Sequence, residues 1–435
     1  MVRWMWACAL VAVVLGLVGG CESKPNGAQG PVEITFWYAY GGKNREVTEA
    51  MIRDFQKARP DIKVKATFQG DYFESLAKLR VAARTDHAPV VTHVIGEALP
   101  ELHAKGMLEP LDGYADGAVV GASKLDRADF IPALTQEGAF ETYGQPVPLV
   151  SLPFNRSTPI LYYNEAMLKQ AGVEPPKTWD ELKAVCEKLT VLEGGEVSRW
   201  CMEVPVDWWF WYAMLHQAGG ALLSPDGTQA TFGQGPGQEA VKLWQELIAA
   251  KHMRVPAGRD YNAWQVANAD FINQKVAMVW TSTAFLAYFE ENAKFPFKTA
   301  FLPGKVKQAV PTGGTFFVIL KNAPEPQKKA AWEFIRWMTE PPQTARWAKE
   351  TGYMPVRKSA LELPELKQFY AQHPDYTTAL KQLDHAVKFP FKPALLEIER
   401  NLLQPGLEKI FRDGAAESEV LPKAATEADK LLKAP

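Results

Sequence analysis

Ile34-Thr-Phe-Trp-Tyr38, Ile62-Lys-Val-Lys-Ala-Thr-Phe68 and Pro89-Val-Val-Thr-His-Val-Ile95 are three short runs in which β-branched and aromatic residues dominate. They read as strands. Between the first two, Lys43 to Ala58 sets Val47, Met51, Ile52 and Phe55 at helical spacing and stops at Arg59-Pro60-Asp61. Tyr72 to Arg84 reads as a second helix. Strands alternating with helices predict an α/β sheet whose faces the helices cover.

Upstream, Arg3 precedes an apolar run from Met5 to Val18 that ends in Leu17-Val-Gly-Gly-Cys21. Fourteen helical residues span about 21 Å, against a hydrocarbon core of roughly 30 Å. The run is therefore too short for an upright membrane span and reads as a secretory signal, residues 1–20, processed at Cys21, the residue that carries lipid. Residues 21–31 read as a flexible tether. Glu22 is not the aspartate that retains many lipoproteins on the inner membrane, so either membrane fits. The expected product is a periplasmic or cell-surface body held by a lipid anchor.

About 415 residues remain, more than one small core organises, so two lobes are expected. A net charge of −2 and a pI near 6.4 give no electrostatic footprint for nucleic acid. Of four cysteines only Cys186 and Cys201 belong to the folded body. In an oxidising compartment a disulfide and two buried free thiols both fit. Downstream, Leu152-Pro-Phe-Asn-Arg-Ser-Thr-Pro-Ile-Leu-Tyr-Tyr-Asn164 is extended and turn-punctuated, as expected where a chain passes between lobes. Thr178 and Glu181 form the pattern of a capping box. Helices follow, over 237–251, 327–339, 342–351 and 402–412, so the second lobe is expected to be the more helical.

The seven histidines show no metal-ligand spacing. There is no GxSxG elbow and no phosphate loop, and Gly233-Gln-Gly-Pro-Gly237 reads as a helix-capping turn. Paired carboxylates such as Glu101 with Asp112 stay open as an acid/base pair. No catalytic residue, metal or cofactor is assigned. What the chain has in excess is aromatic: 14 tryptophans, densest in Trp208-Trp-Phe-Trp-Tyr212. One or two of those five are expected to face a ligand, and the rest to pack the core.

The segments 153–164, Pro176-Lys-Thr-Trp-Asp-Glu-Leu182, Phe36-Trp37, Gly70-Asp-Tyr72, Ala277-Met278, Gly313-Gly314 and Thr351-Gly-Tyr-Met-Pro355 resemble, in order, those of the extracellular solute-binding proteins of ABC importers. Within that family the likeness is greatest to the glycerol-phosphate binders. The resemblance implies a two-lobed periplasmic-binding-protein fold of type II, a monomer that closes on its ligand and docks on a permease driven by a cytoplasmic ATPase. Crossovers near Pro159, Thr281 and Leu320 would give an N-terminal lobe of 32–158 plus 282–320 and a C-terminal lobe of 159–281 plus 321–435.

The resemblance also implies a ligand set. Ser157 and Ser282 match hydroxyl donors to a phosphate, Gly314 a backbone donor, Tyr353 a phenol donor and Arg400 a guanidinium fork, with Lys392 as the competing cation. Tyr72 matches a polyol wall, and Glu97 stands one position from a hydroxyl-binding acid, its other reading being a solvated helix-start glutamate. Trp208 matches one member of a stacking pair and Pro205 stands where the other tryptophan falls, which implies a cleft opened toward glycerophosphodiesters. Within the class a neutral sugar is the alternative ligand, and outside it a secreted hydrolase.

Overall fold

The computed structural model describes residues 30–83, 85, 87–135, 141–142, 145–146 and 148–433. The signal segment, Cys21 and the tether as far as residue 29 lie outside them. Strand Val32–Tyr38 turns Ile34, Phe36 and Tyr38 inward, and helix Gly42–Ala58 brings Val47, Met51, Ile52 and Phe55 into the same apolar cluster. The first sheet runs Ile62–Phe68, Val32–Tyr38, Val91–Ile95, Gly313–Ile319, Leu152–Ser157. Val32–Tyr38 is parallel to both its neighbours, and Gly313–Ile319 is antiparallel to both of its own. The second runs Met253–Arg254, Glu196–Glu203, Val276–Ser282, Pro159–Asn164, Phe297–Ala300. Two sheets with helices on their faces make the two α/β lobes, with a second apolar core around the second sheet.

The crossover expected near Pro159 lies between Leu152–Ser157 of one sheet and Pro159–Asn164 of the other. The other two expected crossovers are corrected. Val276–Ser282 stays in the second sheet, and Phe297–Ala300 then pairs antiparallel with Pro159–Asn164, so much of 282–320 belongs there. The chain re-enters the first sheet at Gly313, and after Leu320 it remains on that side, because helix Glu325–Met338 packs on Val32–Tyr38. Asp375 then returns it to the second sheet, accepting from Thr299 N at 2.7 Å.

Helix ends follow local chemistry. Asp71 caps Tyr72–Ala82 in a full capping box with Glu74. Thr178 caps Trp179–Leu189 as expected, but Glu181 reaches the N–H of Lys177 instead of its cap residue. Gly235 precedes helix Pro236–Ala249, the turn that the glycine run implied. Cys186 and Cys201 are joined in a disulfide between helix Trp179–Leu189 and strand Glu196–Glu203. Glu101 pairs with Arg80 and Lys105, and Asp112 pairs with Arg127, so these two acids sit in separate ion pairs and do not form an acid/base couple.

Candidate ligand-binding site

The crossover at Ser157-Thr158-Pro159 creates the site. Ser157 pairs with Gly313 in the first sheet and Pro159 with Ser282 in the second, so the ends of four strands, the last residues of two and the first of two, meet at this crossover. Tyr353 joins them because Met354 N donates to Arg156 O at 2.9 Å, one residue before Ser157. Gly314 lies opposite Arg156 with φ +100°, and a Cβ there would fall 1.8 Å from the Asn155 carbonyl oxygen. Only glycine fits that approach.

These residues line a cavity of about 860 Å³ between the lobes, at the upper end of small-molecule sites. All eight ligand candidates from the sequence line it: Tyr72, Glu97, Ser157, Trp208, Ser282, Gly314, Tyr353 and Arg400. Lys392, the competing cation, is not among its lining residues. Glu97 is buried, which sets aside its reading as a solvated helix-start acid. Of the aromatic cluster Trp208 and Trp209 reach the cavity, while Phe210, Trp211 and Tyr212 are core. Pro205 is buried and does not line the cavity, so the opening expected at that position is corrected.

A hydrogen-bond relay fixes the tyrosine wall. Ala39 N donates to His93 Nε2 at 2.8 Å, so the imidazole proton sits on Nδ1 and points to Thr315 Oγ1, 2.8 Å away. Thr315 donates to Asn155 Oδ1, and Asn155 Nδ2 donates to the Tyr72 hydroxyl at 3.0 Å. With its lone pair engaged, Tyr72 directs its own proton toward Tyr353, 3.3 Å away, or toward a ligand. Burial raises both phenols above their ordinary value, so both stay protonated donors. Burial also pushes His93 down to about 3, keeping the ring neutral.

The second lobe contributes residues that sequence reasoning missed. Asp207 accepts from Trp209 N at 2.9 Å, capping helix Trp208–Gln217, and from Trp264 Nε1 at 3.0 Å, fixing that ring in the wall. Burial raises its carboxyl to about 6. Trp264 stacks on Phe210 at 4.9 Å between centroids. Arg400 lies in a π-helical turn, Ile398–Leu403, a distortion frequent at functional sites. Its guanidinium carbon is 3.9 Å from the Phe73 ring centroid, and its Nη1 donates to Asp260 at 2.8 Å. Arg400 was expected from the sequence; for Trp264 the available signal was the aromatic density of 261–288, and for Asp207 its place just before Trp208-Trp-Phe-Trp-Tyr212. Among the described residues no group of three or more His, Cys, Asp or Glu is placed to hold a metal ion.

Two α/β lobes around a polar and aromatic cleft define a receptor for a small solute, and the family of bacterial extracellular solute-binding proteins matches residues 50–378; the chain belongs to it. It is a binding protein and not an enzyme. The chain is similar to the sn-glycerol-3-phosphate-binding periplasmic protein UgpB of Escherichia coli (strain K12), with 24% identity over 98% of this chain and 97% of that protein. It is also similar to UgpB from Mycobacterium tuberculosis, solved in complex with glycerophosphocholine: 26% identity, TM-score 0.80, covering 93% of this chain and 99% of that one. The fold alone is shared with the substrate-binding protein Lmo0181 from Listeria monocytogenes, solved with cycloalternan: 20% identity, TM-score 0.79, covering 92% of this chain and 98% of that one.

Proposed function

We propose that this protein captures sn-glycerol 3-phosphate or a glycerophosphodiester between its lobes and delivers it to the permease of an ABC importer. The observation that carries this reading is convergence. Ser157, Ser282, Gly314, Tyr353 and Arg400, drawn from five separate segments, line one cavity together with Tyr72 and Glu97. Hydroxyls, a glycine backbone and a guanidinium suit a phosphate; a buried acid and an aromatic wall suit a polyol. A neutral sugar would not call for Ser157 and Arg400 in the same cavity. The similarity to UgpB proteins supports the same ligand class.

The body acts as a monomer, tethered through lipid on Cys21 at the outer face of a membrane. No helix among the described residues is long and apolar enough to cross one. Metabolic labelling with a fatty acid, abolished in Cys21→Ser, tests the anchor. For the ligand, calorimetric and tryptophan-fluorescence titration of the chain from Glu22 with glycerol 3-phosphate, glycerophosphocholine, inorganic phosphate and maltodextrins decides. Micromolar or tighter binding of a glycerophosphate, lost in Arg400→Ala, is expected; binding of maltodextrins alone overturns the reading.

A further inference from the structure

The charged side chains that line the cavity are mostly acidic. Among the described residues, Asp71, Glu97, Asp207, Asp260 and Glu399 line it against Lys43 and Arg400. Lys43 pairs with Glu291 at 3.0 Å, Asp71 caps a helix, and Asp207 holds Trp209 and Trp264. Asp260 does something else. Its side chain is half exposed, and its carboxylate sits 2.8 Å from Arg400 Nη1. Arg400 is thereby held between the Phe73 ring, beside Tyr72 of the first lobe, and an acid of the second. Asp260 also begins helix Asp260–Ile272 at φ +48°, a left-handed conformation that few residues other than glycine, asparagine and aspartate adopt easily.

We infer that Asp260 is a specificity-determining residue: its charge at the edge of Arg400 selects glycerophosphodiesters with a cationic headgroup over phosphomonoesters. This rests on the glycerophosphate reading above. A phosphomonoester carries nearly two negative charges at neutral pH and a diester carries one. With Asp260 beside it, Arg400 cannot balance a dianion, and the second charge of a monoester faces a carboxylate at close range. A diester's single charge meets about half that repulsion, and its cationic headgroup, placed against Asp260, offsets it. The wall there suits a cation, since Tyr261 follows Asp260 and Trp264, Phe285 and Tyr288 form a continuous run with centroids 6.3 and 6.5 Å apart. Selection comes from repulsion of the competitor as much as from attraction of the ligand.

The test is calorimetry at pH 7.5 with glycerophosphocholine, glycerophosphoglycerol and glycerol 3-phosphate, on the wild-type chain from Glu22 and on Asp260→Asn, whose side chain keeps the backbone conformation. The wild type is expected to prefer the choline diester, with the uncharged-headgroup diester intermediate. Asp260→Asn should shift the choline-diester to monoester affinity ratio toward the monoester by about tenfold. Asp260→Gly, equally compatible with φ +48°, gives the same reading if the asparagine variant melts early. A ratio unchanged within twofold in a folded variant, or a wild type that prefers the monoester, overturns the inference and leaves the glycerophosphate reading standing. Failure of all three ligands to bind the wild type overturns both.

Discussion

Gly314 shows how one residue can carry both the fold and the site. Its φ of +100°, and the 1.8 Å that would separate a Cβ from Asn155 O, leave no room for a side chain. Gly314→Ala is therefore expected to lose about 2 kcal/mol or more in urea unfolding, through backbone strain and displacement of the neighbouring strand. Ligand affinity should fall with it. His93 carries a pH signature. Its folded-state value near 3 lies below the ordinary 6.5, so the unfolded chain takes up a proton that the native ring refuses. The stabilisation is complete above pH 6.5 and is lost as pH falls toward 3, by roughly 1.4 kcal/mol per pH unit. His93→Gln should be less stable at pH 7.5, through lost stacking on Tyr40 at 4.3 Å. Its stability should fall less steeply between pH 6.5 and 4, which chemical denaturation across that range would read. The residues matched through Ser157 and Tyr353 were legible because they sit in short segments whose order the chain keeps. Asp207, Asp260 and Trp264 were not, because nothing in a sequence says which acids and rings of a helical lobe will turn toward a cleft.

At the scale of elements, the site depends on how helices begin. Tyr72 is the first residue of its helix, and Asp71 holds that end by accepting from Phe73 N and Glu74 N, both at 2.8 Å. Asp71→Ala should cost about 1 kcal/mol and also loosen the tyrosine wall. A several-fold weaker titration with glycerophosphocholine would show it, with the loss smaller in Asp71→Ser, which can still cap. The disulfide acts elsewhere. Cys186–Cys201 closes a loop of 15 residues in sequence, and neither cysteine lines the cavity. The double variant Cys186→Ser/Cys201→Ser is expected to lose about 3 kcal/mol of stability, with affinity unchanged within about twofold. Long amphipathic helices were legible to within a few residues, as in Pro341–Thr351 and Glu325–Met338, since apolar spacing marks them directly. Strand Phe297–Ala300 was missed for the converse reason. It is four residues long at the sheet edge, and none of them is fully buried, so no alternation announces it.

That strand places part of 282–320 in the second sheet, beyond the boundary that the resemblance implied near Thr281, and the boundary governs how the whole molecule works. The lobes share a cavity whose polar groups come from both sides: Tyr72, Glu97 and Gly314 from the first sheet and its helices, and Trp208, Asp260 and Ser282 from the second. A solute that touches one lobe only would gain nothing from closure, whereas one that touches both binds the closed arrangement more tightly and shifts the population toward it. Arg400 sits at this junction, stacked on Phe73 and paired with Asp260. Closure can be read from probes placed away from the cavity. Val81 on helix Tyr72–Ala82 and Val306 beside Gln217 are both largely exposed, on the first and second lobes respectively. Cysteines at these two positions, labelled in the chain from Glu22 with the native disulfide intact, should report a changed interlobe distance distribution when glycerophosphocholine is added. Inorganic phosphate engages the anion groups without the polyol wall, so it should move the distribution less. Arg400→Ala should abolish the response at a ligand concentration that saturates the wild type. A distribution that ligand leaves unchanged while calorimetry shows binding would mean that the lobes are already closed around an accessible cavity. Recognition by the permease would then have to rest on the bound ligand's own surface and not on a change in the receptor's shape.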